Sequence, residues 1–476
     1  MKKYLLIFAI MAFSFSCSDF GDINVDPKSA TAVPAETLFA NATKNLADQM
    51  TSTSVNSNIF RLFAQTWTTT TYVDEPNYNL TTRDQPGTFW DTFYRDILKD
   101  LDETRKILMS TDDATILPAV RNNQFALIDI LEVYSYHVLV DVFADVPYSQ
   151  ALDPDNVLPA YDDDAATYAS IIAQLDQAIA SISDGEESFG EFDLIYGGDM
   201  AAWVRFANSL KLRLAVRIAS VDAGKAATMA TQAVAGGVFS SNADNASFQY
   251  LASAPNTNPV WVALVQSGRQ DFIPANTFVD VTNELEDPRR TAFFDDNLDD
   301  GVYAGGLYGQ NSPYADYTHL GDVFNQPDTP GILLDYSEVE FLLAEASELG
   351  LIGTPADAEA HYNNAVTASF EFYGVAGVEA YLSKPEVAYA TAAPTWQEKI
   401  AVQKWLSLFN RGFEAWVTYR KYGFPELTIA PVSMLPVPRR YTYPQDEPTV
   451  NGGSYSAGSS AIGGDELDSR VFWDVE

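Results

Sequence analysis

The chain has 476 residues, with 28 Lys and Arg against 65 Asp and Glu, which gives a formal net charge of −37. A hydrophobic fraction of 47% and an aromatic fraction of 13% exclude an intrinsically disordered chain and provide for a large buried core. The single cysteine excludes a disulfide scaffold. The acidic excess argues against nucleic-acid binding, because phosphate contacts require clustered Lys and Arg. At this length we expect roughly two to four domains or one large helical assembly.

The N-terminus has the pattern of an export signal. Lys2 and Lys3 precede a short apolar run, and Cys17 follows it. The run is too short to span a bilayer, so we predict a signal peptide over 1–16. Cys17 resembles the lipidated cysteine of bacterial lipoproteins, and ordinary cleavage beside an incidental thiol is the alternative. The acidic segment 17–33 is predicted to be a tether, and no later apolar stretch is long enough to span a membrane.

Apolar residues recur at helical spacing through most of the chain, as in Trp203 and Phe206. Capping signals agree with this pattern, because Asp199, Thr354 and Thr395 each stand at the start of such a segment. The predicted helices cover 34–50, 57–70, 87–109, 118–144, 165–183, 199–221, 224–235, 274–286, 335–349, 355–373 and 396–421.

Strand signals are few. Short strands are predicted near 331–334 and 427–430, without the strand–helix alternation that a doubly wound sheet requires. Paired helices with long loops between them favour a core of repeated helix pairs that resembles tetratricopeptide repeats. The stretches 239–331 and 431–464 are rich in turn residues but also in aromatic ones, so we interpret them as embedded loops. We therefore predict a mostly α fold with one large domain over 34–476.

No catalytic or metal-binding constellation stands out in the sequence. The three histidines, His137, His319 and His361, have no metal-ligand spacing. G-x-S-x-G, Walker A and G-x-G-x-x-G motifs do not occur, so we predict no catalytic residue and no cofactor. The many carboxylates leave a glycosidase-like pair open, although nothing singles out two of them. A calcium loop beginning at Asp295 is disfavoured, because its sixth position is Asp300 rather than Gly.

One predicted helix carries the main concentration of basic residues. They are Arg205, Lys211, Arg213 and Arg217. In a chain this acidic, we interpret them as structural cations paired with surrounding carboxylates. A site for the carboxylate of a ligand is the alternative.

Six sequence blocks follow one another in a characteristic order. They are DMAAWVRFANSLKLRLAVRI (199–218), ELEDPRR (284–290), YSEVEFLLAEA (336–346), IAVQKWLSLFNRGFEAWVTYRKYGFP (400–425), PVPRRYTYP (436–444) and LDSRVFWD (467–474). Together they resemble the SusD/RagB family of outer-membrane lipoproteins, and the N-terminal export signal fits that resemblance.

The resemblance implies a SusD-like fold around four tetratricopeptide-like helix pairs. It also implies a lipid anchor at Cys17 that holds the protein on the outer face of the outer membrane of a Bacteroidetes-type bacterium. The implied function is capture of a nutrient glycan and its delivery to a SusC-like TonB-dependent barrel, without catalysis. The alternative within the family is an oligopeptide-binding lid of a RagA-like transporter.

The family motifs place their aromatic residues at helical core spacing, so Trp203, Phe206, Trp405 and Trp416 are predicted to be scaffold. A sugar site instead needs flat aromatic faces in loops, with polar neighbours that satisfy the hydroxyl groups. Two stretches meet this description, 67–90 and 261–317. The candidate ligand-binding residues are Tyr72, Asn77, Tyr78, Arg83, Trp90, Trp261, Arg269, Asp271, Tyr303, Tyr308, Tyr314 and Tyr317. Only two of these are arginines, which favours a neutral oligosaccharide.

Overall fold

The computed structural model describes residues 33–112 and 114–475. In chain order, the α-helices are α1 (Ala35–Thr51), α2 (Phe60–Phe63), α3 (Gln85–Asp91), α4 (Lys99–Ser110), α5 (Pro118–Phe143), α6 (Asp164–Ser181), α7 (Met200–Ile218), α8 (Ala223–Gly236), α9 (Pro259–Trp261), α10 (Asn276–Glu284), α11 (Arg290–Phe293), α12 (Tyr336–Glu348), α13 (Ala358–Phe372), α14 (Val378–Leu382), α15 (Trp396–Ser407), α16 (Gly412–Tyr422), α17 (Glu447–Val450) and α18 (Gly452–Ala461). The strands are β1 (Trp67–Thr69), β2 (Ala246–Phe248), β3 (Phe272–Pro274) and β4 (Gly331–Leu334). The predicted signal peptide, Cys17 and nearly all of the tether lie outside the described residues.

Side-chain caps start several of the long helices. Asp199 accepts a hydrogen bond from the N–H of Ala202 at 3.0 Å, and Thr395 accepts one from Glu398 at 3.3 Å. Thr354 forms a capping box with Asp357 on the single 3₁₀ turn that leads into α13. Each cap satisfies a backbone N–H that has no partner within the helix. The caps predicted at these three positions are therefore confirmed.

Helices that follow one another along the chain pack side by side in space. The four principal pairs are α5 with α6, α7 with α8, α12 with α13, and α15 with α16. The α12–α13 pair also contacts α7 and α15, so the pairs form a continuous layer. This arrangement agrees with the predicted mostly α fold of helix pairs. No described helix combines the length and the apolar character needed to cross a membrane.

Two small antiparallel sheets tie the loops to the helices. β1 pairs with β3, and β2 pairs with β4. The strand predicted at 331–334 is confirmed as β4. The strand predicted at 427–430 is wrong, because that segment has no strand pairing and instead binds the side chain of Gln65 through Thr428.

Two helix predictions need correction. The predicted helix 57–70 is only α2, because Gln65 adopts a positive φ of 52° and the threonines after Trp67 extend into β1. Such β-branched residues favour strands. The predicted helix 396–421 breaks between α15 and α16. Gly412 opens α16 where a Cβ atom would stand 2.3 Å from the backbone nitrogen of Arg61, so the helix meets α2 at backbone contact.

The family-motif aromatics are fully buried, as predicted. Trp203, Phe206, Trp405 and Trp416 each have no exposed surface. They belong to one hydrophobic cluster that runs from α1 to Trp473 near the C-terminus. The aromatic-rich tail thus packs on the helices, as we expected for an embedded segment.

The basic concentration on α7 is structural. Arg213 binds Glu338 of α12 at 2.7 Å, and Arg217 binds Glu414 of α16 at 3.0 Å; all four side chains are buried. Arg205 also binds Asp244 at 2.8 Å, and Lys211 binds Asp176 at 2.7 Å. These ion pairs join α7 to neighbouring elements, and the structural interpretation is confirmed.

Candidate functional site

A cavity of about 430 Å³ lies where three loops meet. The loops are 52–56 after α1, 69–83 after β1, and 259–272 leading into β3. The volume falls within the range of ligand sites for small molecules. The lining residues are Ser52, Thr53, Ser54, Val55, Asn56, Thr69, Tyr72, Glu75, Arg83, Pro259, Val262, Ala263, Ser267, Arg269, Asp271 and Phe272.

The pairing of β1 with β3 sets the geometry of this cavity. Thr69 faces Phe272 in the register, and Thr70 continues the ladder by donating its N–H to the carbonyl of Asp271 at 2.9 Å. The hydroxyl of Thr70 also donates to the carbonyl of Gln270 at 2.6 Å. The ladder therefore brings Tyr72 and Arg269 to the same cavity wall, although they come from distant parts of the sequence.

Charged side chains in the cavity form two ion pairs. Arg83 binds the buried Glu75 with an Nε–Oε1 distance of 2.5 Å. Arg269 binds Asp271 through its Nε atom, and the arginine remains largely exposed. The two guanidinium groups and the two carboxylates balance, so the lining as a whole has no formal net charge. Arg83 and Arg269 nevertheless keep exposed N–H donors, and Asp271 keeps a partly exposed carboxylate, whereas Glu75 is fully buried.

Part of the polar wall has unused hydrogen-bonding capacity. The hydroxyls of Thr53 and Thr69 and the Oε2 atom of Glu75 have no hydrogen-bond partner among the described residues. A buried polar atom without a partner costs about 1–3 kcal/mol. The Tyr72 side chain also lines the cavity and is 55% exposed. The cavity thus combines one open aromatic ring with several polar groups, which suits a polyhydroxylated ligand.

The structure brings together four of the candidate residues predicted from the sequence. Tyr72 and Arg83 come from the first predicted stretch, and Arg269 and Asp271 come from the second. The sequence reasoning missed the whole wall formed by 52–56. The run of Ser, Thr and Asn there is a loop signal, and it directly precedes the predicted helix 57–70.

Three predicted rings are buried and need correction. Tyr78 and Tyr308 are each 3% exposed, and their hydroxyls lie 3.4 Å apart in the core. Trp90 is 9% exposed and packs edge-on against Phe143 at 5.1 Å. None of these rings has an open face for a ligand, so we remove them from the candidate site.

The glycines around Tyr308 serve close packing rather than display of the ring. A Cβ atom at Gly305 would stand 2.5 Å from the backbone of Asn276 at the start of α10. The loop therefore lies flat against β3 and α10, and the Tyr308 hydroxyl turns inward to donate to the carbonyl of Leu62 at 2.7 Å.

The remaining candidates lie outside the cavity lining. Asn77 is buried and joins two other segments. Its side chain donates a hydrogen bond to the carbonyl of Gly309 at 2.8 Å and accepts one from the N–H of Val432 at 2.9 Å. Trp261 is half-buried and directly precedes the helical segment 262–266, which contributes to the cavity wall.

Three half-buried tyrosines occupy the loop beyond α11. Tyr314 stacks on His319 with a centroid distance of 3.7 Å, and Tyr303 packs against Phe294 at 5.4 Å. Tyr317 contributes its carbonyl to the side chain of Asn297 at 2.9 Å. The side chain of Asn297 also accepts a hydrogen bond from the N–H of His319, so it holds two parts of the loop together. These bonds support a structural role for the segment that begins at Asp295 and partly matches a calcium loop.

Carboxylates approach one another closely at a different place. Oxygens of Asp145, Asp163 and Asp164 come within 4.8 Å of one another. Each of these side chains already accepts a backbone N–H, as Asp145 does from Asp164 at 3.0 Å. Burial raises the pKa of Asp145 to about 6 and that of Asp164 to about 7. We therefore interpret the cluster as a structural corner at the start of α6.

The helix-pair scaffold with its loop-lined cavity places the chain in a class, the mostly α proteins built from helix pairs. The family profile described as "Starch-binding associating with outer membrane" matches residues 27–444. The chain belongs to this SusD-like family, as the sequence resemblance implied. Members of the family are binding proteins associated with the bacterial outer membrane.

Solved structures show the same fold. A chitin-binding protein has 26% identity to the chain, with 93% of this chain and 100% of that one covered and a TM-score of 0.79. A SusD homologue from Bacteroides uniformis has 26% identity, coverage of 92% and 99%, and a TM-score of 0.78. A chitin-binding SusD homologue from Flavobacterium johnsoniae has 26% identity, coverage of 93% and 99%, and a TM-score of 0.77. Comparison with curated proteins gives no significant match.

Proposed function

We propose that this protein captures a nutrient glycan in the cavity lined by Tyr72 and delivers it to a SusC-like TonB-dependent transporter. Membership of the SusD-like family supports the class of function. Two solved relatives with 26% identity are described as chitin-binding. The observation that carries the proposal is the convergence of an exposed aromatic ring and polar loop residues on one 430 Å³ cavity.

The chemistry of the lining matches that of a sugar. The open ring of Tyr72 offers an apolar face for the C–H face of a pyranose, and the largely buried Phe272 adds to the apolar lining. Arg83, Arg269 and Asp271 supply donors and acceptors for the hydroxyl groups. Because a buried hydroxyl without a partner is costly, this pairing provides specificity for a polyhydroxylated ligand.

Charge favours a neutral glycan. The four charged groups of the lining balance, and the whole chain carries a net charge of −37. A field of this sign disfavours the approach of polyanions, most strongly at low ionic strength. A neutral oligosaccharide avoids this penalty and leaves both ion pairs of the cavity intact.

Anchoring and partnership complete the proposal. Cys17 carries the lipid that holds the protein on the cell surface, and 17–33 forms the tether. The folded domain covers the outer mouth of the barrel, so that a bound glycan is retained until transport. The protein itself performs no reaction on the glycan.

Calorimetry of the soluble 18–476 fragment tests the choice of ligand. The panel contains neutral oligosaccharides such as those of chitin and starch, acidic and sulfated oligosaccharides, and short peptides. We expect binding to a neutral oligosaccharide and weaker binding to the acidic ones. Binding only to charged glycans would refute the charge argument, and binding only to peptides would favour the oligopeptide-binding lid.

A further inference from the structure

A second cavity has a volume of about 190 Å³. Thr51 lines the second cavity and Ser52 lines the first, so consecutive residues of one segment contribute to both. Its walls are mostly apolar. The apolar lining residues are Met50, Val323, Phe324, Pro330, Ile332, Phe372 and Tyr373. Phe372 is 37% exposed, which marks the side on which this cavity approaches solvent.

A buried cation that has no acidic partner among the described residues lines this cavity. Arg61 is 3% exposed, and it donates to the side-chain oxygen of Asn410 at 3.0 Å and to the carbonyls of Ser52 and Thr51 at 2.7 Å each. All three acceptors are neutral, and no carboxylate of the described residues lies within ion-pair distance of Arg61. These bonds use three of its five N–H groups.

Burial without a counter-ion is costly for a guanidinium group. Burial lowers the pKa of Arg61 to about 9, so the group still carries its charge at neutral pH. An anion in the adjacent cavity would supply the missing counter-charge and accept hydrogen bonds from the unused N–H groups of Arg61. Charge-assisted hydrogen bonds of this kind are among the strong ones in proteins.

A second guanidinium group, that of Arg411, lines the cavity and has carboxylate partners. Arg411 lies 3.1 Å from Asp335 through its Nη1 atom, and its Nη2 atom binds Glu338. Because Arg411 is paired with both Asp335 and Glu338, Arg61 is the guanidinium group among the described lining residues that has no carboxylate partner.

The size and the walls restrict the occupant further. An apolar cavity of about 150 Å³ accepts one benzene ring, and this cavity is slightly larger. Its apolar walls are unsuited to a phosphate or a sugar, whose polar surface would lose hydrogen bonds. We propose that this cavity binds a small organic monoanion with a ring-sized apolar body, such as an aromatic carboxylate, with its carboxylate against Arg61. This site is independent of the proposed glycan site.

Ligand-observed NMR titration of the full-length protein tests the proposal, with benzoate and hexanoate as probes and benzyl alcohol as the neutral match for benzoate. We expect at least one carboxylate to bind with a Kd of about 1 mM or tighter and the alcohol to bind at least tenfold more weakly, since tenfold corresponds to about 1.4 kcal/mol. Tyr72→Ala should leave carboxylate binding unchanged, because Tyr72 lines only the other cavity.

Two variants separate the effects of charge and space. Arg61→Gln should weaken carboxylate binding at least tenfold, and Ile332→Phe should abolish it by filling the cavity while retaining Arg61. Ile429→Phe, at an exposed isoleucine elsewhere, is the matched control and should bind like the wild type. A thermal-unfolding midpoint for each variant reports whether it folds.

Three results would overturn the proposal. The first is that neither carboxylate binds to the folded wild type. The second is equal binding of benzoate and benzyl alcohol, and the third is unchanged binding to folded Ile332→Phe. If Arg61→Gln does not fold, the comparison of acid with alcohol and the Ile332→Phe variant still decide the question. Failure here leaves the glycan proposal intact, because that proposal is tested by oligosaccharides at the other cavity.

Discussion

Truncation of Tyr72 is the sharpest test of where the glycan binds. Tyr72 is the most exposed aromatic side chain of the candidate cavity, and 55% of its surface is open to solvent. Tyr72→Ala removes the apolar face proposed for the sugar ring, and it leaves the ion pairs Arg83–Glu75 and Arg269–Asp271 in place. The variant therefore isolates the contribution of one ring to binding.

The expected magnitude follows from the exposed area. An aromatic side chain has roughly 200 Å² of surface to bury, so an exposed fraction of 55% leaves about 110 Å² accessible. A sugar ring that covers one face removes about half of this, roughly 55 Å². At ~25 cal/mol per Å², the loss on truncation is ~1.4 kcal/mol, or about tenfold in Kd. Folding stability should change by less than about 0.5 kcal/mol, as for other exposed positions.

Calorimetric titration with the neutral oligosaccharide that binds best provides the measurement, and urea denaturation verifies the stability. Tyr317→Ala is the matched control, since Tyr317 is a half-buried loop tyrosine outside the cavity lining. We expect wild-type affinity for this control. Unchanged affinity of Tyr72→Ala, together with weaker binding by Tyr317→Ala, would place the site in the 303–317 loop and refute the cavity assignment.

Three further predictions concern the anchor, the partner and the core. Cys17→Ser should release the protein from the outer membrane on cell fractionation, and retention of the variant would contradict lipidation there. Extraction in mild detergent should co-purify a TonB-dependent barrel with this protein, because we expect their interface to exceed the ~1,600 Å² of typical complexes. Repeated recovery of the protein as a monomer would contradict its proposed role as the lid of such a barrel. Glu345 is buried, which opposes its charge, yet Lys404 and Lys421 lower its pKa to about 2. A carboxylate whose pKa is lower in the folded than in the unfolded state stabilises the fold at pH values above its unfolded-state pKa. Glu345→Gln should therefore lower the free energy of unfolding, measured by urea denaturation, by about 3 kcal/mol at pH 7, and by less as the pH falls from 5 to 3. A loss of stability that does not depend on pH would contradict this assignment.

Local chemistry in the sequence determined most of the helical scaffold. Apolar spacing and caps such as Asp199 and Thr395 predicted the long helices, because both signals act within a few residues of the chain. The same spacing predicted that Trp203 and Trp416 are buried. The order of the sequence blocks indicated the family, which the match over 27–444 confirmed.

Only the tertiary structure decided which loop residues share a cavity. Thr70 and Gln270 are 200 positions apart, and their hydrogen bond joins two loops that no local signal connects. The loop tyrosines show the same limit, since Tyr72 and Tyr78 stand in one loop between β1 and α3. Tyr78 turns inward at a φ of 64° and packs on Phe63, whereas Tyr72 stays open to solvent. Which of the two rings is available to a ligand depends on contacts with distant segments, and those contacts exist only once the chain has folded.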